Sequence, residues 1–355
     1  MIQISEKIPV AILGATGSVG QKFVQLLADH PWFTINELVA SDQSAGKKYK
    51  DVVRWVQDAP IPDEIGQKVV LSSKTKLKST ILFSALDAKV ATEIEQEFAV
   101  QGYIIVSNAR NHRFHNKVPL LIPEVNPEHL EAIFSQEFGK GIIITNPNCS
   151  TTGLVMSLKP LHEKFGVKKV HVVTMQALSG AGFPGVSSLQ IMDNIIPYIK
   201  NEEEKMETEP LKLLGIWDGR SFRQAEITIS ASCNRVPVID GHLESVSVEL
   251  ENKASAEEIV EVWQEFIALP QKMRLPSAPR RIIHYFNEPD LPQPRLQRNL
   301  GQGMSISIGR LRPCSILDYK FHVLSHNTIR GAAGGAILNA ELLIAQFGKE
   351  LGLVG

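Results

Sequence analysis

The chain has 355 residues, with 37 Lys and Arg residues against 38 Asp and Glu residues, and its formal net charge is −1. This length predicts about two domains, and the balanced charge gives no electrostatic basis for binding nucleic acid or a membrane surface. Three cysteines without paired spacing favour a reducing, cytoplasmic location. The N-terminus has no signal-peptide pattern, and no apolar run approaches the roughly 20 residues of a membrane span, so we expect a soluble protein.

The first half of the chain alternates short apolar strands with helical patterns. Predicted strands lie at residues 9–14, 35–41, 81–86, 103–108 and 141–145. Apolar residues recur at helical spacing after Val19, in a segment that ends at His30 and Pro31, and again over residues 88–101. This alternation predicts a Rossmann-like, doubly wound parallel sheet.

Three glycines lie between the first predicted strand and the first predicted helix, at Gly14, Gly17 and Gly20. Glycines at this junction allow a tight turn, let the backbone approach a pyrophosphate, and permit the helix to pack closely on the strand. A tight turn without a ligand would need the same residues. The junction is the first in the chain and a second strand ends about 20 residues later, which favours a dinucleotide site.

The residues after the second predicted strand indicate which nicotinamide cofactor binds. NAD sites usually carry an acidic residue there that holds the ribose 2′-hydroxyl, whereas NADP sites avoid it. Ser41 and Ser44, followed by Lys47 and Lys48, suit a 2′-phosphate, while Asp42 favours NAD. We therefore predict NADP as the cofactor and leave NAD open.

Cys149 lies between an apolar, β-branched strand and a segment that begins a helix with Ser150, Thr151 and Thr152. Unpaired backbone N–H groups and the positive end of the helix dipole favour a thiolate at such a position. Most free cysteines are small buried hydrophobes instead, although the polar residues on both sides are unlike an apolar core. The residues alone leave a nucleophile and a structural cysteine both open.

The second half of the chain predicts a different kind of sheet. Predicted strands lie at residues 168–177, 225–233, 244–252, 305–312 and 317–324. Several of them alternate apolar and polar residues, which is typical of a sheet with one solvated face and favours antiparallel pairing. Ser255 and Glu258 predict a capping box at the start of a helix over residues 255–268. Residues 275–294 are predicted as a loop and residues 331–347 as the last helix.

A nucleophilic thiol needs an acid–base partner for the oxygen of its adduct. Among ten histidines, His242 has the most suggestive position, because Arg235 precedes it by seven residues across a strand and a Pro segment. This spacing allows a guanidinium and an imidazole in one pocket, although a loop histidine is more often a surface residue. Arg110 follows another predicted strand, at the edge where ligands of open α/β sheets bind.

Three further segments carry polar or flexible residues. Residues 179–185 form a glycine-rich loop that offers backbone N–H groups, or a plain turn. His112 and His115 lack a carboxylate or cysteine that would complete a ligand set, so we interpret them as structural and predict no metal. The charged run at residues 200–210 is by default a solvated face.

Five motifs in this order resemble those of aspartate-semialdehyde dehydrogenases, in the archaeal and fungal branch of that family. They are residues 14–20, 146–152, 179–185, 235–242 and 327–334. The resemblance covers nearly the whole chain and implies an α/β fold with two domains. A Rossmann-like domain is expected at residues 1–148 and 328–355, and a catalytic and dimerisation domain of the α+β kind, with a mostly antiparallel sheet, at residues 149–327. A homodimer or homotetramer is also implied.

The resemblance implies a role for each candidate. Cys149 is the expected nucleophile and His242 its acid–base partner. The implied substrate-binding residues are Arg235 for the carboxylate, Glu203 for the amino group, Lys205 and Arg110 for phosphate, and Asn148. The implied cofactor-binding residues are Gly14, Thr16, Gly17, Ser18, Val19, Ser41, Ser44, Ser84, Leu86, Gly182 and Asn327.

The implied activity is the NADP-dependent interconversion of 4-aspartyl phosphate and L-aspartate 4-semialdehyde plus phosphate, a step of lysine, diaminopimelate, threonine and methionine synthesis. In this scheme Cys149 attacks the aldehyde, His242 takes the hydroxyl proton as hydride leaves, and phosphate cleaves the thioester. Archaeal malonyl-CoA reductase is a rival that resembles this chain less at Asn148, Glu203 and Lys205. N-acetyl-glutamyl-phosphate reductase and a nicotinamide-sensing binding protein are more distant alternatives.

Overall fold

The first sheet carries the glycine-rich junction and is parallel throughout. The computed structural model describes residues 6–354. The strands are β1 (Ile8–Leu13), β2 (Phe33–Ala40), β3 (Val70–Ser72), β4 (Ile81–Ser84), β5 (Ile104–Ser107) and β6 (Ile142–Thr145), and the helices are α1 (Ser18–Leu27), α2 (Tyr49–Val52), α3 (Asp63–Gly66) and α4 (Ala88–Val100). The strand order is β3-β2-β1-β4-β5-β6, and every pairing is parallel. The predicted Rossmann-like sheet is therefore confirmed.

The strand order creates a crevice at the carboxyl ends of β1 and β4. The chain runs outward from β1 to β3 and then returns to place β4 on the other side of β1. Open α/β sheets bind ligands at such a reversal point. The backbone N of Ala85, just after β4, donates to the Leu13 carbonyl O at 2.9 Å, so the two strand ends are joined where Gly14 begins the loop.

The second sheet lies in the later part of the chain and is mixed. Its strands are β7 (Val167–Gln176), β10 (Thr228–Arg235), β11 (His242–Leu250), β12 (Ile283–Phe286), β13 (Ile306–Pro313) and β14 (Tyr319–Ser325), while β8 (Ile216–Trp217) and β9 (Phe222–Arg223) form a separate pair. The order is β10-β7-β11-β14-β13-β12. The three central pairings are antiparallel, and the two outer ones, β10 with β7 and β12 with β13, are parallel. The predicted antiparallel character thus holds for the centre of the sheet.

The remaining helices come after β6, before, between or after the strands of the second sheet, and the last of them returns to the first sheet. They are α5 (Cys149–Phe165), α6 (Ser188–Ile191), α7 (Glu202–Leu213), α8 (Ala256–Glu265), α9 (Leu269–Met273), α10 (Pro294–Gln297) and α11 (Gly334–Phe347). The capping box of α8 is confirmed, since Ser255 and Glu258 exchange both hydrogen bonds. Short helical turns also occur at Pro127–Ser135, Leu178–Ala181, Leu300–Gly303 and Ile329–Ala333.

One prediction about an irregular segment was wrong. The segment predicted as a loop at residues 275–294 contains β12, which pairs with β13 in parallel. The many prolines around this four-residue strand concealed it, because its own residues show no alternating pattern. The charged run at residues 200–210 falls in α7, and the Glu202 side chain in it is buried.

The last helix, α11, belongs to the core of the first sheet. Its apolar side chains, Ile337 and Leu342 among them, pack in one cluster with Val10 and Phe83 of that sheet. A separate core lies between the second sheet and helices α5 and α8, where Trp263 is fully buried. Between residues 6 and 354, no helix is long and apolar enough to cross a membrane.

Candidate active site

Cys149 is the first residue of α5, four residues after the end of β6. The Asn148 side chain caps the helix, because its Oδ1 accepts hydrogen bonds from the backbone N of Ser150 at 2.9 Å and of Thr151 at 3.2 Å. The predicted strand–helix junction is confirmed. The cysteine residue as a whole is half-buried.

His242 is fully buried at the start of β11. Its Nε2 lies 3.2 Å from the Cys149 Sγ, and its Nδ1 accepts a hydrogen bond from the backbone N of Ala177 at 3.0 Å. Ala177 directly follows β7, the strand that pairs with β11. The register of the second sheet therefore holds the imidazole against the thiol and brings together the two residues that were expected to be catalytic.

Arg235 ends β10 opposite Gln176, the last residue of β7. Its side chain is buried, and Nη1 donates to the Ala177 carbonyl O at 2.7 Å. The backbone of Ala177 thus orients two side chains. Its N–H holds the His242 imidazole, and its C=O holds the Arg235 guanidinium. The remaining guanidinium donors suit a carboxylate held close to the sulfur.

The charged side chains around Cys149 shift the pKa of its thiol in opposite directions. Burial raises the pKa of the Cys149 thiol to about 12, and the Glu202 carboxylate adds to the rise, while Lys205, Arg235 and Arg113 lower it. The expectation that the helix N-terminus favours a thiolate is therefore outweighed by desolvation of the sulfur. Lys205, Arg235 and Arg113 are thus the cations near enough to lower the pKa of the thiol.

Glu202, rather than Glu203, is bound to the turn that carries Cys149. Its Oε1 accepts a hydrogen bond from the Asn148 Nδ2 at 2.8 Å, and its Oε2 pairs with the Lys205 Nζ. Glu203 instead accepts a hydrogen bond from the backbone N of Cys233 at 3.1 Å. Residues three apart share a helix face whereas residues two apart do not, so α7 presents Glu202 and Lys205 together.

Arg110 is exposed after β5, and its role in binding phosphate stays a prediction. The buried arginine is Arg113, whose Nη1 lies 2.7 Å from the Glu209 Oε1. The other oxygen of Glu209 accepts a hydrogen bond from the backbone N of Asn148 at 2.6 Å. Arg113 is thereby tied to the turn that carries Cys149. The sequence signal for it was weak, because it lies between two histidines that we interpreted as structural.

Gly180 leaves the space in which a substrate would meet these groups. A Cβ at this position would lie 2.9 Å from the Arg235 Nη1, and 3.1 Å from the Cε1 and 3.2 Å from the Nε2 of His242. No backbone atom is among these nearest neighbours, so a methyl group there would project into the site and not into a core.

Gly180→Ala is expected to lower kcat/KM about 10- to 100-fold with little change in thermal stability, because small displacements of catalytic groups are costly. Steady-state kinetics and a melting curve measure the two effects. The matched control is Gly66→Ala, whose new Cβ would make ordinary contacts with the side chains of Ile61 and Lys50. Unchanged kinetics in Gly180→Ala would contradict this placement of the substrate.

The glycine junction after β1 fits a dinucleotide. Gly14 has a φ of +74°, and a Cβ there would lie 2.6 Å from the Ala85 carbonyl O. A Cβ on Gly20 would collide with the Gly14 carbonyl O. Helix α1 begins at Ser18 with Gly17 as its N-cap, and no side chain caps it, so its first N–H groups are available to phosphate oxygens. Thr16 and Val19 belong to the same turn.

The segment after β2 forms a turn in which the backbone N of Ser44 donates to the Ser41 carbonyl O at 2.9 Å. Asp42 already has local partners, because its Oδ1 accepts a hydrogen bond from the Ser72 Oγ at 2.7 Å and its Oδ2 lies 3.8 Å from the Lys74 Nζ. Its carboxylate is therefore partly occupied, and the two serines remain compatible with a 2′-phosphate.

The glycine-rich loop at residues 179–185 forms the other wall of the cofactor crevice. A cavity of about 270 Å³ lies between this loop and α1, and its lining includes Ser18, Gly182 and Phe183. Asn327 holds the loop in place, since its Nδ2 donates to the Ser179 Oγ at 2.7 Å and its Oδ1 accepts from the backbone N of Gly241 at 2.8 Å.

Two cofactor candidates after β4 have different surroundings. The Ser84 hydroxyl is buried and donates to the Glu95 Oε1 at 2.6 Å, so its side chain is directed into the protein and not toward a ligand. Leu86 is half-buried beside the loop, and its backbone N lies 3.3 Å from the place that a Gly14 Cβ would take. Any contact that this segment makes with a cofactor would involve its backbone and Leu86.

Among the described residues, 6–354, no cluster of three His, Cys, Asp or Glu side chains could hold a metal ion. His112 and His115, the pair considered in the sequence, instead pack against the Phe138 ring. The His112 Nε2 lies 3.7 Å from the buried Glu95 Oε2. These contacts support a structural interpretation of both histidines.

Glu244, two residues after His242, is buried below the catalytic pair. Neither of its carboxylate oxygens has a hydrogen-bond partner, and the nearby Ser325 Oγ also lacks one. Burial, with a smaller contribution from Glu202, raises the pKa of Glu244 well above its ordinary value. A carboxyl group in such surroundings is stable in its protonated form.

Because the folded-state pKa of Glu244 lies above its unfolded value, its burial costs stability as pH rises above the unfolded pKa of about 4.3. Glu244→Gln is therefore expected to unfold like the wild type near pH 4 and to be more stable than the wild type at pH 8. The gain is at most about 1.4 kcal/mol per pH unit within that window. Urea unfolding at several pH values measures the free energy of unfolding, and Glu249→Gln, on the other face of β11, is the control. If the free energy of unfolding depends on pH equally in Glu244→Gln and in the wild type, the raised pKa of Glu244 is refuted.

Comparison with known proteins agrees with this geometry. Residues 9–133 match the semialdehyde dehydrogenase NAD-binding domain, and residues 158–330 match the semialdehyde dehydrogenase dimerisation domain. The aspartate-semialdehyde dehydrogenase of Archaeoglobus fulgidus is 50% identical over 341 residues, covering 95% of this chain and 98% of that protein. The Saccharomyces cerevisiae protein of the same name is 47% identical, with coverage of 94% and 97%.

Solved structures extend the comparison to the three-dimensional level. The Candida albicans aspartate-semialdehyde dehydrogenase with NADP superposes with a TM-score of 0.89 at 45% identity, covering 95% of this chain and 99% of that one. The Vibrio cholerae aspartate-semialdehyde dehydrogenase II complexed with ASA gives a TM-score of 0.77 at 26% identity, with coverage of 97% and 100%. With these matches over both sheets and the cysteine–histidine pair between them, the chain belongs to the aspartate-semialdehyde dehydrogenase family.

Proposed function

We propose that this enzyme interconverts 4-aspartyl phosphate and L-aspartate 4-semialdehyde plus phosphate with NADP(H). The observation that carries the proposal is the Cys149 Sγ, 3.2 Å from the His242 Nε2 and facing the charges of Glu202, Lys205 and Arg235. These side chains are complementary to a substrate with a carboxylate, an amino group and an acyl phosphate: Arg235 to the carboxylate, Glu202 to the amino group and Lys205 to the phosphate. The product serves lysine, diaminopimelate, threonine and methionine synthesis.

Each side chain then has a distinct task. Arg235 binds the α-carboxylate and Glu202 the α-amino group, which orients the reacting carbon toward the sulfur. Lys205 and Arg113 bind the phosphate, with Asn148 holding the turn between them. The Cys149 sulfur bonds to the acyl carbon, and phosphate leaves with the electron pair of the C–O bond. Hydride exchange at the same carbon is the chemistry that a bound NADP(H) supplies.

The cofactor assignment rests on the crevice at the ends of β1 and β4. Gly14, Gly17 and the start of α1 suit the pyrophosphate, and Ser41 and Ser44 suit the 2′-phosphate. Gly182 lines the cavity beside Ser18, and Asn327 holds the loop that forms its wall. Asp42 accepts a hydrogen bond from Ser72 and pairs with Lys74. These contacts support NADP over NAD, because they offset part of the negative charge with which the carboxylate would repel a 2′-phosphate.

One assay tests the proposal. Absorbance of the reduced nicotinamide is followed with aspartate semialdehyde and phosphate, using NADP and then NAD, and with malonyl-CoA and NADPH as a rival substrate pair. We expect turnover that requires phosphate and is faster with NADP. Activity with malonyl-CoA alone would assign the chain to the rival reductase, and reversible nicotinamide binding without turnover with any substrate would indicate a sensor.

We also propose a division of the chain and an assembly. Residues 1–148 and 328–355 form the cofactor domain, supported by the packing of α11 on the first sheet, and residues 149–327 form the catalytic domain. A homodimer or homotetramer is supported by exposed apolar residues along the segment before α7, including Leu189, Met192 and Tyr198. Light scattering on the purified protein gives its mass in solution. A reducing cytoplasm suits an enzyme that depends on a free thiol.

A further inference from the structure

Glu209 is a fully buried carboxylate on α7 to which the proposed reaction gives no task. Both of its oxygens are in use. Oε1 accepts a hydrogen bond from the Arg113 Nη1 at 2.7 Å, and Oε2 accepts one from the backbone N of Asn148 at 2.6 Å. One carboxylate therefore joins a buried guanidinium to the turn that carries Cys149.

Glu209 belongs to a charged stripe along one face of α7. The stripe consists of Glu202, Lys205, Glu209 and Lys212, and the spacings of three, four and three residues place these side chains on the same face. Glu202 and Lys205 pair beside Asn148. Glu209 and Lys212 lie further along the helix and contact the segment after β5. The stripe thus connects that segment with the turn of the cysteine.

Lys212 fixes the backbone of the segment that carries Arg113. Its Nζ donates to the carbonyl O of Arg113 at 2.7 Å, of His115 at 3.0 Å and of Val118 at 2.8 Å. These three bonds use every donor of an ammonium group. Because Lys212 holds the backbone and Glu209 holds the side chain, α7 determines where the Arg113 guanidinium lies.

Arg113 still has a donor for an anion. Its Nη2 donates to the Asn108 carbonyl O at 3.0 Å, but its Nε is buried and has no hydrogen-bond partner among residues 6–354. Leaving a buried donor without a partner is unfavourable, and a phosphate oxygen would satisfy it. Arg113 also lowers the pKa of the Cys149 thiol, so its charge lies within electrostatic reach of the sulfur.

We propose that Glu209 is a positioning residue that holds the phosphate-binding guanidinium of Arg113 at a fixed distance from the turn of Cys149. The proposal rests on the proposed function, in which Arg113 binds phosphate. Without Glu209, the turn keeps the Asn148 side chain that caps α5, whereas the Arg113 side chain keeps only its bond to Asn108. Loss of Glu209 therefore displaces the guanidinium more than the sulfur.

The consequence is confined to the step that involves phosphate. In the proposed function Arg235 and Glu202 hold the amino acid, and the hydrogen bonds of Glu209 go to neither of them. Hydride transfer to NADP forms the thioester without phosphate. A phosphate oxygen then bonds to the acyl carbon as the C–S bond breaks, and the electron pair returns to the Cys149 sulfur. A displaced Arg113 would impair this second step and leave the first unchanged.

Glu209→Gln is the direct test, because an amide can accept only one of the two hydrogen bonds and carries no charge. We expect the KM for phosphate to rise about 10- to 100-fold, since small displacements of a binding group are costly. The KM for aspartate semialdehyde should stay within about threefold of the wild type. The first turnover of NADP without phosphate, followed by stopped-flow absorbance, should keep its rate. A loss spread equally over both KM values and the first turnover would indicate a merely structural role and overturn the proposal.

Glu207→Gln is the matched control, two residues earlier in the same helix. The Glu207 Oε1 accepts a hydrogen bond from the backbone N of Ala231 at 3.0 Å, and an amide oxygen can accept the same bond. We expect both KM values of this variant to stay within about threefold of the wild type. A rise in the KM for phosphate as large as in Glu209→Gln would show that any change in α7 has this effect, and it would refute a specific role of Glu209.

A double variant tests whether Glu209 acts through Arg113. Glu209→Gln combined with Arg113→Ala should have the same KM for phosphate as Arg113→Ala alone, because the group that Glu209 positions is then absent. Additive increases in the double variant would overturn the proposal.

Binding of inorganic phosphate gives a readout that needs no turnover. A ligand that binds the folded protein raises its melting temperature with concentration, and we expect Glu209→Gln to need about tenfold more phosphate for the same rise. Glu209→Asp keeps the charge but is too short to reach both partners, and it replaces Glu209→Gln in every measurement if that variant does not fold. Equal phosphate affinity in variant and wild type would overturn the proposal. Wild-type turnover that does not require phosphate would instead refute the proposed function.

Discussion

Replacement of Cys149 by serine is expected to abolish turnover with aspartate semialdehyde, phosphate and NADP, with a loss of roughly 10⁴-fold or more in kcat. The sulfur is the atom that carries the acyl group, and a serine hydroxyl is a far weaker nucleophile at neutral pH. The side chains are nearly isosteric, so the cap of α5 by Asn148 remains. Steady-state absorbance measures the loss.

The same variant should bind NADP as tightly as the wild type, because the cofactor crevice at Gly14 and Ser18 contains no part of the cysteine side chain. Fluorescence titration with NADPH checks this. Substantial turnover in a Cys149→Ser preparation of verified mass would refute the thioester route. Loss of both turnover and NADPH binding would point to misfolding, and Cys149→Ala then serves as the second nucleophile-free variant.

Glu202→Gln is expected to reduce kcat/KM for aspartate semialdehyde by about 30- to 4,000-fold, mostly through a higher KM. The estimate follows from the cost of removing one member of a buried, hydrogen-bonded charge pair, about 2–5 kcal/mol. Glu202 pairs with Lys205 and accepts from the Asn148 side chain. Burial works to raise the pKa of Glu202, but Lys205, Asn148 and His242 together lower it, so the carboxylate is charged at neutral pH.

Glu203→Gln is the matched control, one residue away in the same helix. Glu203 uses its Oε1 to accept a hydrogen bond from the backbone N of Cys233, and an amide oxygen can accept the same bond. We expect its kcat/KM to stay within about threefold of the wild type. A large loss in Glu203→Gln together with a small one in Glu202→Gln would restore the assignment made from the sequence.

Glu202 and Arg113 show why the sequence did not identify every side chain near Cys149. Glu202 and Glu203 are adjacent in a run of three glutamates, and only the phase of α7 decides which carboxylate turns toward Asn148. Arg110 and Arg113 are both in the segment after β5, and the turn directs Arg113 inward to Glu209. In both places the sequence analysis named a residue of the right type in the right segment. It did not identify which side chain points inward.

Local chemistry alone determined several features of this protein. The parallel first sheet, the glycine turn at Gly14 and the cysteine at the start of α5 all follow from short-range patterns of apolar residues, glycine and helix caps. These features depend on neighbours within a few residues, so a single sequence contains them. The family resemblance added the pairing of Cys149 with His242 before any distance between them was known.

The tertiary structure alone decided the chemical state of the site. The orientation of the His242 ring depends on the backbone N–H of Ala177, which is 65 residues away in the chain and reaches the ring through the pairing of β7 with β11. The resistance of Cys149 to ionisation depends on how completely the assembled elements exclude water around its sulfur. Desolvation and hydrogen-bond direction arise only when distant segments pack together, and for that reason no local pattern could have revealed them.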